Sequence, residues 1–101
     1  RTVDEVLSNI RNLLNDLGSE QVAVELVANG DAVIIYLPAL SIYAERIRLL
    51  AQQGVRFVAC NNSLRYMNLE REDLLDGVEI VPSAVGELTR QQAEGWAYIR
   101  P

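Results

Sequence analysis

Apolar positions near the start of the chain recur with the period of an α-helix. Between residues 3 and 17 they follow the i, i+3, i+4, i+7 spacing, which predicts an amphipathic helix. Gly18 comes next and is expected to end this helix. By the same reasoning, further helices are predicted over residues 43–53, 62–67 and 84–94, with a helical turn over residues 70–75.

Continuous apolar runs rich in β-branched residues predict strands buried on both faces. Such runs occupy residues 21–28, 55–60 and 78–81, and a last one occupies residues 96–99. Residues 32–37 stay ambiguous, because their composition favours a strand whereas the preceding turn and Pro38 also fit a short helix. Strands alternating with helices predict a three-layer α/β/α sandwich with a mainly parallel sheet, in one domain over residues 1–101.

Composition and charge then narrow the class of function. The chain has a formal net charge of −5, and its nine basic residues are all arginines scattered along the sequence. Nucleic-acid binding depends on neutralising phosphates, so no nucleic-acid partner is expected. No apolar run reaches the length that spans a membrane, so no membrane partner is expected either. The single cysteine cannot form an intrachain disulfide, and without a signal-peptide pattern the cytoplasm is the expected location.

Cys60 is the candidate reactive group of the chain. It closes the predicted strand 55–60 and is followed at once by Asn61, Asn62 and Ser63, where a helix is predicted to start. Ligands of parallel sheets bind beyond the carboxyl ends of the strands, and a helix N-terminus favours the thiolate over the thiol. The alternative is an inert, buried structural cysteine, and position alone leaves both open.

The absent residue types exclude most other chemistries. Without histidine the chain has no Cys–His or Ser–His pair, and without lysine it has no Schiff base and no P-loop lysine. A single cysteine excludes a CxxC pair or a thiolate zinc cluster, so neither a metal nor a cofactor is expected. Ser63 has no base to activate it and is interpreted as a capping residue. A lone thiolate can still carry sulfur as a persulfide or form a mixed disulfide.

A second polar cluster follows the predicted strand 21–28. Asn29 and Gly30 occupy the same place relative to the sheet as the residues after Cys60, so they are candidate ligand-binding residues. A simple turn is the alternative interpretation of this cluster. The acidic run over residues 70–73 fits no calcium-binding loop and is expected to be a solvated face.

Several segments resemble a known protein family. They are GVRFVACNNSLR at residues 54–65, DLLDGVEIVP at 73–82 and EGWAYIRP at 94–101, with IRNLLNDLG at 10–18 and VANG at 27–30 matching its front half. Together they are similar to the DsrE/DsrF-like (DsrEFH-like) sulfur-relay proteins, in particular their single-domain homo-oligomeric branch. The resemblance implies a parallel α/β fold, assembly into homo-oligomers such as trimers or hexamers, and a sulfur-carrying role for Cys60. It also implies a β-strand before the first helix, which is expected to be missing from this chain.

Two hypotheses about function follow. In the first, the protein is a sulfur carrier or sulfurtransferase-like protein that takes sulfane sulfur on Cys60 from a donor protein and passes it to an acceptor. Asn61, Asn62 and Ser63 would then hydrogen-bond the anionic sulfur. In the second, it is a non-enzymatic small-ligand-binding or structural oligomeric module, and Cys60 only lines a pocket. The sequence leaves open whether the protein is an enzyme.

Overall fold

Helices and strands alternate along the chain in the computed structural model, which describes residues 2–39 and 41–100. The α-helices are α1 (Thr2–Leu17), α2 (Ser41–Gln52), α3 (Asn61–Tyr66) and α4 (Ala84–Ala93), and the strands are β1 (Glu25–Ala28), β2 (Arg56–Cys60) and β3 (Glu79–Val81). Two short 3₁₀ helices cover Gly30–Tyr36 and Arg71–Asp73. The segment left ambiguous by its sequence is therefore the first of these short helices.

The three strands form one parallel sheet in the order β1-β2-β3. Glu25 of β1 pairs with Arg56 of β2, and Cys60 of β2 pairs with Val81 of β3. The middle strand, β2, is thus hydrogen-bonded on both sides and ends at Cys60. This arrangement confirms the predicted parallel α/β fold.

One face of the sheet carries the main apolar core. Phe57 and Ala59 of β2 are almost completely buried there. The Tyr36 ring packs edge-to-face on Phe57 with ring centroids 6.2 Å apart, and its hydroxyl lies within hydrogen-bond distance of the Leu26 and Val58 carbonyl oxygens, at 3.1 and 3.0 Å. The helices that complete this core contribute Leu7, Ile10, Leu14, Ile47, Leu50 and Leu64.

The opposite face of the sheet is covered by α4. Alternation along β2 turns Val58 and Cys60 away from the face that Phe57 occupies. On β1, Glu25 has the same orientation, and the amide of Gln91 in α4 donates to its carboxylate at 3.3 Å. Helices therefore lie on both faces, as the predicted three-layer sandwich requires.

The prediction of a final strand over residues 96–99 is wrong. The chain leaves α4 through Gly95, which has a positive φ of 99°, and the Trp96 N–H donates to the Gln91 carbonyl instead of joining a strand. Tyr98 and Ile99 beyond it are 51% and 76% exposed. Within the two described ranges, no helix is both long and apolar enough to cross a membrane.

Candidate functional site

Cys60 lies where the middle strand turns into α3. It is the N-cap residue of that helix, with extended backbone angles of φ −77° and ψ 118°. Its side chain is a free thiol, and the residue is only 6% exposed. The structure thus places the thiol at a strand end and a helix start, as the sequence indicates, but beneath the surface.

The surroundings of the Cys60 thiol act on its pKa in opposite directions. Burial raises the pKa, because the thiolate loses its hydration. Hydrogen bonds from the Ser63 hydroxyl and from the backbone N–H groups of Ser63, Ala84 and Asn62 lower it, because each one stabilises the negative sulfur. The hydrogen bonds prevail, and the pKa of Cys60 lies below its ordinary value.

Ser63 connects the two polar clusters that the sequence places at strand ends. The Gly30 N–H donates to the Ser63 oxygen at 2.7 Å, which leaves the Ser63 hydroxyl proton free to point at the sulfur of Cys60. The predicted capping role of Ser63 is wrong, because α3 begins at Asn61 and its N-cap is Cys60, which makes no side-chain cap hydrogen bond. Ser63 is instead a hydrogen-bond bridge between the turn at Gly30 and the thiol.

The start of α4 supplies a donor that sequence reasoning missed. Ser83 caps this helix by accepting from the Gly86 N–H at 3.0 Å, and Ala84 follows as a buried residue. The residues before α4 signal a helix start, but nothing in the local pattern directs it at Cys60. The connection comes from the register, since Cys60 pairs with Val81, only three residues before Ala84. The starts of α3 and α4 therefore lie next to each other at the end of β2.

A cleft of about 230 Å³ opens between α3 and the turn at Gly30, and Cys60 is not among its lining residues. The cleft is lined by Gly30, Asp31, Asn62, Ser63, Tyr66 and Met67. Gly30, Asn62 and Ser63 are among the candidates from the sequence, and Asp31 belongs to the same polar cluster as Gly30. Tyr66 and Met67, at the end of α3, are brought to the cleft by the fold. The cleft thus shares Asn62 and Ser63 with the hydrogen-bond shell of the sulfur.

The two remaining candidate residues lie apart from this cleft. Asn61 lines a second cavity, of about 480 Å³, together with Arg65 and Arg71. Asn29 lines neither cavity, and its carbonyl accepts from the Ala32 N–H at 3.2 Å, as in an ordinary turn.

The described part of the chain contains no group of three or more His, Cys, Asp or Glu side chains arranged to hold a metal ion. In the acidic run, the Glu70 N–H donates to the Asp73 carboxylate at 2.8 Å. This bond is part of a capping box between Glu70, the N-cap residue, and Asp73, the last residue of the 3₁₀ helix Arg71–Asp73. These residues are exposed, in keeping with the solvated face that was expected.

The fold and this site define an α/β sandwich with one hydrogen-bonded cysteine at the carboxyl end of the middle parallel strand. The model of the DsrE/DsrF-like family matches residues 7–101, so the chain belongs to that family. A solved structure, that of the "Protein of Unknown Function MTH1491" from Methanobacterium thermoautotrophicum, is 46% identical and superposes with a TM-score of 0.92. The match covers 98% of this chain and 86% of that one. Comparison with curated proteins gives no match.

Proposed function

We propose that the protein is a sulfur carrier that holds sulfane sulfur on Cys60. Membership of the DsrE/DsrF-like family supports a role in sulfur relay. The observation that carries the proposal is the position of Cys60 at the end of the middle strand, as the N-cap residue of α3. The neighbouring donors of Ser63, Asn62 and Ala84 lower the pKa of Cys60 there. The thiolate is the nucleophile in sulfur transfer, and the same donors would stabilise a terminal persulfide anion.

The proposed step is a transfer between thiols with no net change of redox state. The Cys60 thiolate attacks the outer sulfur of a donor persulfide, R–S–SH. A new S–S bond forms, the S–S bond of the donor breaks, and the donor leaves as the thiolate R–S⁻. Cys60 then carries the persulfide, and an acceptor thiolate removes the outer sulfur by the same reaction. This chemistry needs no histidine base if the lowered pKa of Cys60 supplies enough thiolate for the attack.

Access to the buried sulfur is proposed to come from the cleft beside α3. Cys60 is only 6% exposed. Asn62 and Ser63, however, are hydrogen-bond donors to its sulfur and also line the cleft of about 230 Å³. A donor persulfide is small at its reactive end, so a narrow opening suffices. The exposed ring of Tyr66 at this cleft is a contact point for the donor.

The remaining proposals concern partners and place in the cell. We propose a donor protein and an acceptor protein, each presenting a cysteine, together with the homo-oligomeric assembly that the family resemblance implies. Sulfane sulfur is carried between thiols that must stay reduced, so a cytoplasmic setting suits the role.

Intact-mass measurement after incubation with a persulfide donor tests the carrier function. The wild-type protein is expected to gain the mass of one sulfur atom, and to lose it again on addition of a thiol acceptor. Cys60→Ser gains nothing, whereas Asn61→Ala, at a residue that lines the other cavity, reacts like the wild type. A wild-type protein that stays at its original mass contradicts the proposal.

A small-ligand-binding module is the second candidate, and the burial of Cys60 favours it. In this case the Cys60 thiol is only part of the wall of a ligand pocket, and its burial keeps it from reacting with other molecules. This candidate predicts slow alkylation of Cys60 in the folded protein and no sulfur adduct. The cleft at Ser63, of about 230 Å³, is smaller than the roughly 300–1,000 Å³ of typical ligand pockets. The cavity of about 480 Å³ lies within that range but is lined by neither Asn62 nor Ser63, so the binding module is the weaker candidate for the site at Cys60.

A further inference from the structure

Two glutamates meet in the layer between the sheet and α4. The side chain of Glu25, on β1, is 3% exposed, and that of Glu87, on α4, is 9% exposed. The amide nitrogen of Gln91 lies 3.3 Å from a carboxylate oxygen of each one, so a single side chain contacts both. Neither the sulfur chemistry nor the apolar core uses this pair.

Each carboxylate of the pair has an arginine neighbour, but two arginines lie beside three carboxylates here, so one negative charge is left in excess. Arg56 of β2 lies 3.2 Å from Glu25, but it makes its hydrogen bonds to Glu79 of β3, at 2.8 and 2.9 Å. Arg90, one turn along α4, contacts Glu87 at 3.2 Å and is itself 57% exposed. On the other side of the sheet, the Tyr36 hydroxyl interacts electrostatically with Glu25, and burial raises the pKa of Tyr36, so the hydroxyl stays neutral.

These surroundings give the two carboxyl groups different pKa values. Burial, together with the hydrogen bond to Glu87, raises the pKa of Glu25 to about 7. The same hydrogen bond is the main factor that lowers the pKa of Glu87. A protonated Glu25 that donates to an ionised Glu87 accounts for both directions, because two adjacent buried carboxylates cannot both ionise cheaply.

The pair lies one turn away from the donor that α4 directs at the thiol. Glu87 and Ala84 are both buried on α4, and the Glu87 N–H donates to the Ser83 carbonyl at 3.1 Å in the first turn. Glu87 and Ala84 are therefore held in the same first turn of α4, next to the end of β2.

We propose that Glu25 and Glu87 share one proton that fastens α4 to the sheet and thereby positions the Ala84 N–H at Cys60. When the proton is lost, two buried carboxylates face each other across the layer and α4 detaches more readily. Both glutamates are positioning residues, since neither touches the sulfur. The proposal rests on the proposed function in one respect, that Cys60 is the residue that carries sulfur.

Hydrogen exchange of the α4 amides as a function of pH tests this proposal. If Glu25 returns to its ordinary pKa of 4.5 when α4 opens, from about 7 when it is closed, linkage predicts about tenfold more opening at about pH 8 than at about pH 6. Rates are first corrected for the intrinsic pH dependence of exchange. Glu25→Gln, which keeps the shape and cannot ionise, is expected to abolish the increase.

Glu94→Gln is the matched control, because it removes an exposed carboxylate at the end of the same helix without touching the arginine beside Glu25. It should leave the increase in place. A direct titration of ¹³C-labelled glutamate carboxyls supplies the second measurement, with a midpoint near 7 expected for Glu25. An ordinary midpoint, or α4 exchange that shows the same pH dependence in wild type and Glu25→Gln, overturns the proposal.

The link to the thiol has its own measurement. In the wild type, the Cys60 side-chain ¹³C resonance is expected to show two steps against pH, one from its own ionisation and one at the midpoint of Glu25; in Glu25→Gln only its own step remains. A wild-type curve without the Glu25 step, or a variant curve that keeps it, overturns the link. None of these measurements uses a sulfur donor. A missing sulfur adduct would therefore refute the carrier function without testing the proposal about Glu25 and Glu87.

Discussion

The two faces of the sheet differ in the side chains they bury, although both are formed by the same strands. On one face, Phe57 and Ala59 are sealed among apolar side chains from α1, α2 and the first 3₁₀ helix. On the other face, the alternate positions of β2 are Arg56, Val58 and Cys60, and a single helix covers them.

The difference shows how a small domain separates stability from chemistry. The apolar face gains free energy from burial and contains one polar handle, the Tyr36 hydroxyl, which is satisfied by backbone carbonyls. The α4 face buries a thiol and two carboxyl groups, and the pKa values of all three are shifted from their ordinary values. Changes on the first face should alter stability, and changes on the second should alter acidity.

Phe57→Ala should have the largest effect of the changes considered. It removes a ring that is 3% exposed and packs on Tyr36, so the free energy of unfolding should fall by about 3–5 kcal/mol. Denaturant unfolding measures this loss. Tyr66→Ala is the control, since that ring is 90% exposed and its loss should change stability by no more than about 0.5 kcal/mol. Equal effects of the two changes would remove the distinction between core and surface.

Glu25→Gln should change the pH dependence of stability. The pKa of Glu25 is raised from 4.5 to about 7 by folding, so its stabilising contribution is full below the lower value and is lost as pH rises through about 7. Relative to wild type, the variant should therefore gain up to about 3 kcal/mol between about pH 5 and about pH 8.

The lowered pKa of Glu87 acts in the opposite sense but at lower pH. Its contribution is present above its ordinary value and is lost as pH falls through the lowered one, outside the window of this comparison. Thermal unfolding of the variant and wild type across the window measures the effect. Parallel stability curves would show that Glu25 has an ordinary pKa.

Ser63→Ala should weaken the acidity of Cys60 without unfolding the protein. It removes a hydrogen bond to the thiolate worth about 1.5–3 kcal/mol, and it also removes the acceptor of the Gly30 N–H. The pKa of Cys60 should rise, and alkylation at neutral pH should slow by about tenfold or more. Asn62→Ala is the control, because Asn62 contributes only its backbone N–H; an equal slowing there would contradict the role of the Ser63 hydroxyl.

Asn29→Ala should have the smallest effect. The Asn29 side chain makes no cap hydrogen bond and lines neither cavity, so alkylation of Cys60 and sulfur loading should match the wild type. Gly30→Ala at the next position should be worse tolerated, because Gly30 has a positive φ of 58° and donates to Ser63. Measured side by side, equal losses in both variants would mean that the whole turn belongs to the site.

Much of the fold follows from local pattern, whereas the site depends on long-range register. The period of α1 and its end at Gly18 are local properties, and so is the left-handed Asn68 after α3. The position of Cys60 at the end of a buried run can also be predicted from the sequence. The lowered pKa of Cys60 cannot be predicted in this way, because Ala84 comes near Cys60 only through the pairing of Cys60 with Val81. Residues 96–99 show the converse, since strand-like composition makes a strand only where a sheet edge receives it.

The acidity of Cys60 is the central claim, and titration of its thiol in the folded protein tests it most directly. Thiolate absorbance followed against pH should give a pKa below that of an ordinary cysteine, about 8.5, with Ser63→Ala titrating at higher pH than the wild type. A wild-type pKa at or above the ordinary value would contradict the account, because burial would then outweigh the hydrogen bonds that converge on the sulfur.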